Sequence, residues 1–244
     1  MERDLQLTGA VQNLLLPQED TWVEGSLRLC AYYEPMSRAG GDYWFARRLA
    51  DGTLRILLAD VTGHGAGASM VTAAVAGCER ALTRDAGSAP DAQELLAAVH
   101  RVLEEICRGA YTMPACLLEV SPDGECRCWS AAAPPLLVQR ANGDFEVKGA
   151  KGHPLGSDEL LFGEVQWQLG PGDRMLAFTD GVVELELPSG RDMGLKRLKT
   201  FMENCEGKDL QQTRAAIIEQ VREAQDGKPA GDDITYLLLE RAAD

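Results

Sequence analysis

Aspartates beside glycines recur in four short motifs of this sequence, and their side chains could bind a cation. The motifs are residues 40–42 (GGD), 59–65 (ADVTGHG), 179–181 (TDG) and 231–235 (GDDIT). Asp60 and Asp180 each follow an apolar segment typical of a buried strand, and another such segment begins after Asp233. A carboxylate at the end of a buried strand loses hydration, which costs free energy unless a cation or hydrogen-bond donors compensate the charge. One Asp-Gly pair is usually an ordinary turn, but four such motifs together predict a carboxylate site.

The chemistry of this predicted site is that of a hard divalent cation. Several carboxylates that converge on one place repel one another, and a bound divalent ion removes the repulsion. Oxygen ligands without a nearby cysteine favour Mg²⁺ or Mn²⁺ over Zn²⁺. The adjacent glycines would let a backbone carbonyl or a substrate phosphate approach closely. Cys126 and Cys128 do not predict a zinc site, because no second Cys or His pair stands at ligand spacing.

The elements that must position these motifs are short strands and amphipathic or small-residue helices. The predicted strands cover residues 27–33, 43–49, 54–61, 115–120, 126–130, 136–140, 145–148, 165–169, 174–178 and 234–240. The predicted helices cover residues 3–15, 65–82, 91–107, 195–204 and 210–225. His100 lies on one of these helices and is expected to be exposed. Strand groups that enclose paired helices predict an α+β fold, an antiparallel β-sandwich flanked by layers of α-helices.

Composition excludes several classes of function. The chain of 244 residues has 38 acidic and 24 basic residues and a net charge of −14, which argues against nucleic acid and anionic membranes as partners. No apolar run approaches the ~20 residues of a membrane-spanning helix, and the N-terminus does not have the pattern of a secretory signal. The seven cysteines suit reduced, buried thiols. Together these features predict a cytoplasmic protein without a membrane segment.

The motifs, taken in order, resemble the PPM family of metal-dependent serine/threonine protein phosphatases, in the bacterial branch typified by the sporulation phosphatase SpoIIE. The matching segments are residues 11–17 (VQNLLLP), 33–35 (YEP), 39–43 (AGGDY), 59–65, 154–156 (PLG), 172–173 (GD), 179–184 (TDGVVE) and 232–235 (DDIT). The resemblance implies a phosphatase 2C-like fold that holds two Mn²⁺ or Mg²⁺ ions. It also implies that water activated by these ions attacks a phosphoserine or phosphothreonine. Residues 130–135 (SAAAPP) depart from the family's usual Asn-Ala-Gly-His-Pro-Pro segment.

The resemblance assigns roles residue by residue. The implied metal ligands are Asp42, Asp60, the backbone carbonyl of Val61, Asp180 and Asp232, with Asp233 as the alternative to Asp232. Asp42, Asp60 and Asp180 are the implied catalytic residues, and Gly41 and Gly63 would position the backbone near the metals. His64 could protonate the leaving serine oxygen as a general acid. It could equally cap local structure or bind a carboxylate beside the metal ligands.

The resemblance also suggests partners and leaves alternatives open. A phosphorylated regulatory protein is the expected substrate, with a STAS-domain, anti-anti-sigma-type regulator as the suggested example. Residues 1–17 would form an N-terminal helix that links the phosphatase domain, residues 18–244, to an upstream sensor domain or a second copy, or that simply packs against the domain. One alternative is a phosphatase-like module that binds a partner without turnover. Another is a phosphoesterase for small molecules, although no nucleotide-binding motif is present.

Overall fold

The computed structural model of the protein describes residues 2–17, 20–83, 89–205, 207–227 and 230–243. Its elements are α1 (Glu2–Leu15), β1 (Thr21–Glu24), β2 (Leu27–Glu34), β3 (Asp42–Arg48), β4 (Leu54–Asp60), α2 (Ala66–Thr83), α3 (Ala92–Cys107), β5 (Ala115–Val120), β6 (Glu125–Ala131), β7 (Leu136–Gln139), β8 (Phe145–Lys148), β9 (Gly163–Gln168), β10 (Arg174–Phe178), α4 (Asp180–Val183), α5 (Gly194–Glu203), α6 (Leu210–Gln225) and β11 (Ile234–Arg241). The chain divides into two compact units. The first comprises Met1–Gln18, Ser37–Ala133 and Gly149–Gln168, and the second comprises Glu19–Met36, Pro134–Lys148 and Leu169–Asp244.

The first unit contains a five-stranded antiparallel sheet in the order β3-β4-β5-β6-β9. β3 and β4 form the predicted hairpin, which turns at Gly52, where φ is +88°. The Leu49 N–H closes this turn on the Thr53 carbonyl at 2.8 Å. β4 is paired on both sides and is buried from Leu54 to Ala59. The hairpin register therefore fixes where the aspartates at the two strand ends stand.

The helix α3 shows how local sequence specifies an element of this unit. The Asp91 side chain accepts from the Glu94 N–H (2.7 Å), and the Glu94 carboxylate accepts from the Asp91 N–H (3.2 Å), which forms a capping box. Leu95, Val99 and Leu103 recur at helical spacing, and each is at most 1% exposed. Capping and apolar periodicity thus agree, and the predicted helix over residues 91–107 is confirmed.

His100 corrects one expectation, because it is buried rather than exposed. Its Nδ1 accepts from the Gly156 N–H at 3.0 Å, and its Nε2 lies 3.3 Å from the Glu104 carboxylate. The contact with Gly156 joins residues 56 positions apart in the chain. The pattern of a helix does not reveal that a residue distant in sequence, here Gly156, packs over one of its side chains. The prediction of an exposed His100 was wrong for that reason.

The second unit contains a six-stranded antiparallel sheet in the order β1-β2-β11-β10-β7-β8. β11 pairs with β2 on one side and β10 on the other, and it is buried from Ile234 to Leu239. Tyr236 of β11 stacks on Tyr32 of β2, with ring centroids 5.4 Å apart, and donates its hydroxyl to the Arg214 carbonyl of α6 at 3.0 Å. Tyr236, which is buried, therefore joins β11 to the neighbouring strand β2 and to the helix α6.

The predicted α+β class with antiparallel sheets is confirmed. β1 and the single-turn helix α4 were not predicted from the sequence. α1 matches the predicted N-terminal helix, whereas the domain boundary between residues 17 and 18 stays a prediction. In the part of the chain that the structure describes, no helix is both long and apolar enough to cross a membrane.

The segment of residues 130–135 has a left-handed backbone conformation at the position where the family segment has glycine. When the family segment Asn-Ala-Gly-His-Pro-Pro is aligned on its two prolines, its glycine falls at position 132, where this chain has alanine. Ala132 has φ +63°, in the left-handed region. A Cβ atom in that region costs roughly 1–2 kcal/mol. Ala132, which forms an isolated β-bridge with Ala115, therefore carries backbone strain that a glycine at this position would relieve.

Candidate functional site

Asp42 and Asp60 face each other on neighbouring strands of the first unit. β3 begins at Asp42 and β4 ends at Asp60, and the antiparallel register pairs the two residues directly. Directly paired residues have Cβ atoms about 4.5–5.5 Å apart on the same face of a sheet. Asp42 is only 1% exposed. Two carboxylates held this close, one of them buried, repel each other in a way that a nearby cation would relieve.

Gly41 and Gly63 shape the backbone beside this pair for different reasons. The Val61 N–H donates to the Gly41 carbonyl at 3.1 Å. A Cβ atom on Gly41 would come within 2.5 Å of the Val61 carbonyl oxygen and 3.0 Å of the Gly63 carbonyl oxygen, so no larger residue fits there. Gly63 is surrounded by open space but has φ +89°, so its requirement is conformational. The Val61 carbonyl consequently lies next to the residue that precedes Asp42.

His64 lies in the turn that opens α2. Gly65, which follows it, has φ +79°, and its carbonyl accepts from the Ser69 N–H at 3.0 Å at the start of the helix. The His64 side chain is exposed. The exposed imidazole of His64 is close in sequence to Asp60 and is accessible to a substrate in solution. Whether His64 acts as a general acid or has a structural role stays a prediction.

In the second unit, Asp180 begins α4 directly after β10. The preceding residue is fastened to β11, since the Thr179 N–H donates to the Thr235 carbonyl (3.0 Å) and the Thr235 N–H donates to Thr179 Oγ1 (3.1 Å). A Cβ atom on Gly181 would come within 2.0 Å of the Asp233 carbonyl oxygen. The turn after β10 therefore packs backbone to backbone against the residues that begin β11, and it brings the third and fourth motifs together.

Asp232 and Asp233 have different surroundings, which spacing alone could not show. Asp233 is 1% exposed, and its Oδ1 accepts from the Met36 N–H at 2.7 Å. Asp232 is partly exposed and its Oδ1 accepts from the Asp233 N–H at 2.8 Å. Asp232 also lines a cavity of about 440 Å³ within this unit. Asp233 is thus the buried member of the pair and Asp232 the one that faces the cavity, while the choice of metal ligand between them stays a prediction.

The cavity beside Asp232 is strongly acidic. Its other lining carboxylates are Glu184, Glu186, Asp192 and Asp226. The pKa of the Glu184 carboxyl is raised above its ordinary value, first by the negative charge of Asp180 and then by partial burial and the charges of Asp232 and Asp192. Negative charges close enough to raise the pKa of Glu184 form an environment that a cation would stabilise.

Each unit by itself offers donor atoms of the kind that a hard divalent cation prefers. These are carboxylate oxygens of Asp42 and Asp60 and the Val61 carbonyl oxygen in the first unit, and carboxylate oxygens of Asp180 and Asp232 in the second. Among the residues that the structure describes, no group of three or more His, Cys, Asp and Glu side chains is close enough together to hold a metal ion. The structure brings Asp42 and Asp60 together in the first unit, and it brings Asp180 near Asp232 in the second.

Two residues that sequence reasoning did not single out hold the backbone before Asp42. The Gln12 side-chain amide donates to the Gly40 carbonyl (2.7 Å) and accepts from the Gly40 N–H (2.9 Å). The Thr72 hydroxyl donates to the Gly41 carbonyl at 3.0 Å. Gln12 belongs to the matching segment of residues 11–17, which was the available signal. Thr72 gave none, because it stands in a helix rich in small residues.

The comparison with family models decides the family. Residues 50–242 match the model described as Stage II sporulation protein E (SpoIIE). The chain belongs to the SpoIIE family. The matched range contains Asp60, Asp180 and Asp232, whereas Asp42 and α1 precede it. The predicted kinship with SpoIIE-like PPM phosphatases is therefore confirmed at the level of family and fold.

Three proteins similar to this SpoIIE-family chain share less than a quarter of its sequence, and the two solved structures among them share its fold. It is 23% identical over 186 residues to the phosphoserine phosphatase RsbP of Bacillus subtilis (strain 168), a match that covers 75% of this chain and 46% of RsbP. The chain thus spans less than half the length of that curated relative. The SiaA-PP2C domain of Pseudomonas aeruginosa has a TM-score of 0.83 at 20% identity, with 98% of this chain and 96% of that domain covered. RsbX in complex with magnesium has a TM-score of 0.62 at 15% identity, with 92% and 97% covered.

Proposed function

We propose that this SpoIIE-family chain is a metal-dependent protein phosphatase that hydrolyses phosphoserine or phosphothreonine. The observation that carries the proposal is the direct pairing of Asp42 with Asp60, with the Val61 carbonyl packed against Gly41 beside them. Further support comes from RsbP, which is named a phosphoserine phosphatase, and from the likeness of the fold to the SiaA-PP2C domain.

The proposed cofactors are two divalent ions, Mn²⁺ or Mg²⁺. The proposed ligands are Asp42, Asp60, the Val61 carbonyl, Asp180 and Asp232. These hard oxygen donors suit either ion, and the presence of magnesium in RsbX supports a divalent metal. When bound, such a pair of ions lowers the pKa of water and offsets charge on the phosphoryl oxygens.

The residues of the chain have separate roles in the proposed reaction. Asp60, at the end of a buried strand, and Asp42, paired directly opposite it, would hold the ions from the first unit. Gly41 lets the Val61 carbonyl approach the residue before Asp42, and Gly63 supplies the left-handed conformation of the turn that follows Val61. Water is the nucleophile, so no nucleophilic side chain is required. His64, exposed in the turn that follows Val61, is the proposed proton donor to the leaving serine oxygen.

The proposed substrate is a phosphorylated regulatory protein of the cytoplasm, and a STAS-domain, anti-anti-sigma-type regulator is the specific suggestion. This part of the proposal rests on the resemblance of the motifs and on the name of RsbP. A net charge of −14 disfavours nucleic acid as a competing partner. The Asp60→Asn variant, which would retain substrate without turnover, is the tool for capturing such a partner.

The alternative of a phosphatase-like module without catalysis is less well supported. Every aspartate that the family resemblance implies as a metal ligand is present in this chain. No observation favours loss of turnover over turnover, and the same assay distinguishes the two: a module would bind a phosphoprotein and hydrolyse nothing.

The test of the proposed function is hydrolysis of p-nitrophenyl phosphate and a phosphoserine peptide with Mn²⁺, Mg²⁺ or EDTA. We expect Mn²⁺ to support turnover and EDTA to abolish it. We also expect Asp60→Asn and Asp180→Asn to lower kcat/KM by more than about 100-fold. Changing a residue that only hydrogen-bonds to a metal ligand typically costs roughly 10–100-fold, and loss of the ligand itself should cost more.

Asp158→Asn is the matched control, since Asp158 is an exposed carboxylate of the first unit outside the motifs. It should retain wild-type turnover and metal dependence. Turnover that continues in EDTA, or in both aspartate variants, would contradict the proposed function.

A partner for α1 is proposed as well. Leu7, Val11 and Leu14 recur at a spacing of four and three residues and are 61%, 57% and 69% exposed. These three residues, called here the α1 stripe, form an apolar face of the kind that pairs with another helix. We propose that the stripe pairs with the same stripe of a second copy, and that an upstream sensor domain acts through this helix.

A further inference from the structure

The helix α1 is attached to the backbone before Asp42 by a side chain that makes two hydrogen bonds. Gln12 Nε2 donates to the Gly40 carbonyl at 2.7 Å, and the Gly40 N–H donates to Gln12 Oε1 at 2.9 Å. Gln12 is 2% exposed, and Gly40 is buried. One side-chain amide thus satisfies both polar groups of a buried residue that stands two positions before Asp42. Buried backbone groups need such partners, since leaving them unsatisfied is costly.

The fit of α1 against this segment is close enough to depend on a glycine. A Cβ atom on Gly9 would come within 1.8 Å of the Arg38 carbonyl oxygen and 2.9 Å of the Arg38 carbonyl carbon. Gly9 and Gln12 are three residues apart and therefore lie on the same face of the helix. Backbone contact at Gly9 and paired hydrogen bonds at Gln12 together hold residues 38–40 against α1.

The next residue is held from the other side by α2. The Gly41 carbonyl accepts from the Thr72 hydroxyl (3.0 Å) and from the Val61 N–H (3.1 Å). α2 is itself joined to α1, because Arg80 donates to the Leu15 carbonyl at 2.7 Å at the C-terminal end of α1. The backbone that leads into Asp42 therefore has its hydrogen-bonding groups held by side chains from two helices.

We propose that Gln12 is a positioning residue for the proposed metal centre. Its amide holds Gly40, and through it Gly41, in the conformation that presents the Asp42 carboxylate opposite Asp60. The inference rests on the proposed function, because it assigns Gln12 to the centre in which Asp42 is a ligand. Gln12 itself is not a ligand: both polar atoms of its side chain are occupied by Gly40.

The chemistry of glutamine is specific to this position. Methionine has similar length but offers neither the donor nor the acceptor that Gly40 uses. Glutamate keeps an acceptor for the Gly40 N–H but would place a carboxylate oxygen against the Gly40 carbonyl, where a donor is needed. Both changes free the Gly40 backbone without altering any proposed ligand.

The test compares Gln12→Met and Gln12→Glu with wild type in three measurements. These are hydrogen–deuterium exchange of residues 40–42 without metal, the Mn²⁺ dissociation constant, and kcat and KM for p-nitrophenyl phosphate over a range of Mn²⁺ concentration. We expect exchange to accelerate and the Mn²⁺ dissociation constant to rise on the order of tenfold, which lies within the range expected for the loss of buried hydrogen bonds to Gly40. Saturating Mn²⁺ should restore much of kcat with KM unchanged.

Gln6→Met and Gln6→Glu are the matched controls, because Gln6 is an exposed glutamine on the same helix. They should stay within about twofold of wild type. Gly9→Ala reaches the same segment by a different route, and it should reproduce the weaker Mn²⁺ binding while Gln12 is intact. Gly77→Ala, a helical glycine with open space around it, is its control.

Each outcome decides between the ideas. Wild type that binds no Mn²⁺ and hydrolyses nothing would end the proposed function itself. If wild type binds Mn²⁺, and if Gln12→Met and Gly9→Ala are folded by circular dichroism and bind it equally well, only the inference is overturned. If Gln12→Met is unfolded at the assay temperature, Gln12→Glu and Gly9→Ala decide. Global unfolding of all three would also overturn the inference, because a positioning residue should loosen residues 40–42 before the whole fold.

Discussion

The adjacent residues Asp232 and Asp233 have the same side chain and different surroundings. Asp233 is buried and accepts from the Met36 N–H, whereas Asp232 lines the acidic cavity. We expect Asp232→Asn to lower the Mn²⁺-dependent kcat/KM far more than Asp233→Asn, because asparagine at position 233 keeps an oxygen acceptor for Met36. Asp233→Ala, by contrast, should lower the free energy of unfolding by about 1–3 kcal/mol, since it leaves a buried N–H without that acceptor.

Urea denaturation and Mn²⁺ titration of the three variants separate these effects. Asp158→Asn again provides the exposed control. Equal losses of activity in Asp232→Asn and Asp233→Asn would contradict the assignment of Asp232 as the ligand, and a larger loss in Asp233→Asn would reverse it.

At the residue scale, the sequence nominates a set of aspartates as metal ligands, which stays a prediction, and it could not show what surrounds each of them. Motif and strand pattern identified Asp42, Asp60 and Asp180 without any contact information. The different surroundings of Asp232 and Asp233 depend on Met36, which is 197 positions away from Asp233 along the chain. Gln12 likewise acquires its role from Gly40, 28 positions away. Contacts of that range arise from the fold, and local spacing does not contain them.

At the scale of elements, long patterned segments were predictable and short ones were not. The hairpin β3–β4 follows from Asp51-Gly52 between two apolar runs, and α3 follows from its cap and its apolar period. β1 has four residues, and its half-exposed side chains do not alternate cleanly. α4 is a single turn, too short to show a helical period. Both missed elements owe their form to the neighbours they pack on.

The helix α1 carries the prediction that belongs to this scale, because its two faces are separable. Gly9 and Gln12 contact residues 38–40, while the α1 stripe is exposed. We expect wild type to form a dimer in light-scattering measurements. The triple variant Leu7→Gln, Val11→Gln, Leu14→Gln should be a monomer with wild-type turnover per chain, because the substitutions remove an apolar contact and leave Gln12 in place.

Val147→Gln is the control for this experiment, since Val147 is another large apolar side chain, 55% exposed, outside α1. It should leave the dimer intact. A wild-type protein that remains monomeric at high concentration, or a triple variant that still dimerises, would contradict pairing through the α1 stripe.

For the molecule as a whole, the ordered set of motifs predicted the family and the class of fold, and both predictions are confirmed. The strong negative charge also finds a local meaning, since carboxylates collect at the strand ends and in the cavity beside Asp232. Joint binding of metal by Asp42, Asp60, Asp180 and Asp232 lies beyond what sequence can establish. It depends on distances between side chains that are far apart along the chain.

The most direct test of the account is anomalous scattering at the manganese edge from crystals grown with Mn²⁺. We expect two peaks about 3.5–4 Å apart. Carboxylate oxygens of Asp42, Asp60, Asp180 and Asp232 should lie about 2.1 Å from them. Peaks that involve only other carboxylates, such as Glu184 and Asp192, or that leave either Asp42–Asp60 or Asp180 and Asp232 without a metal contact, would contradict the proposed centre.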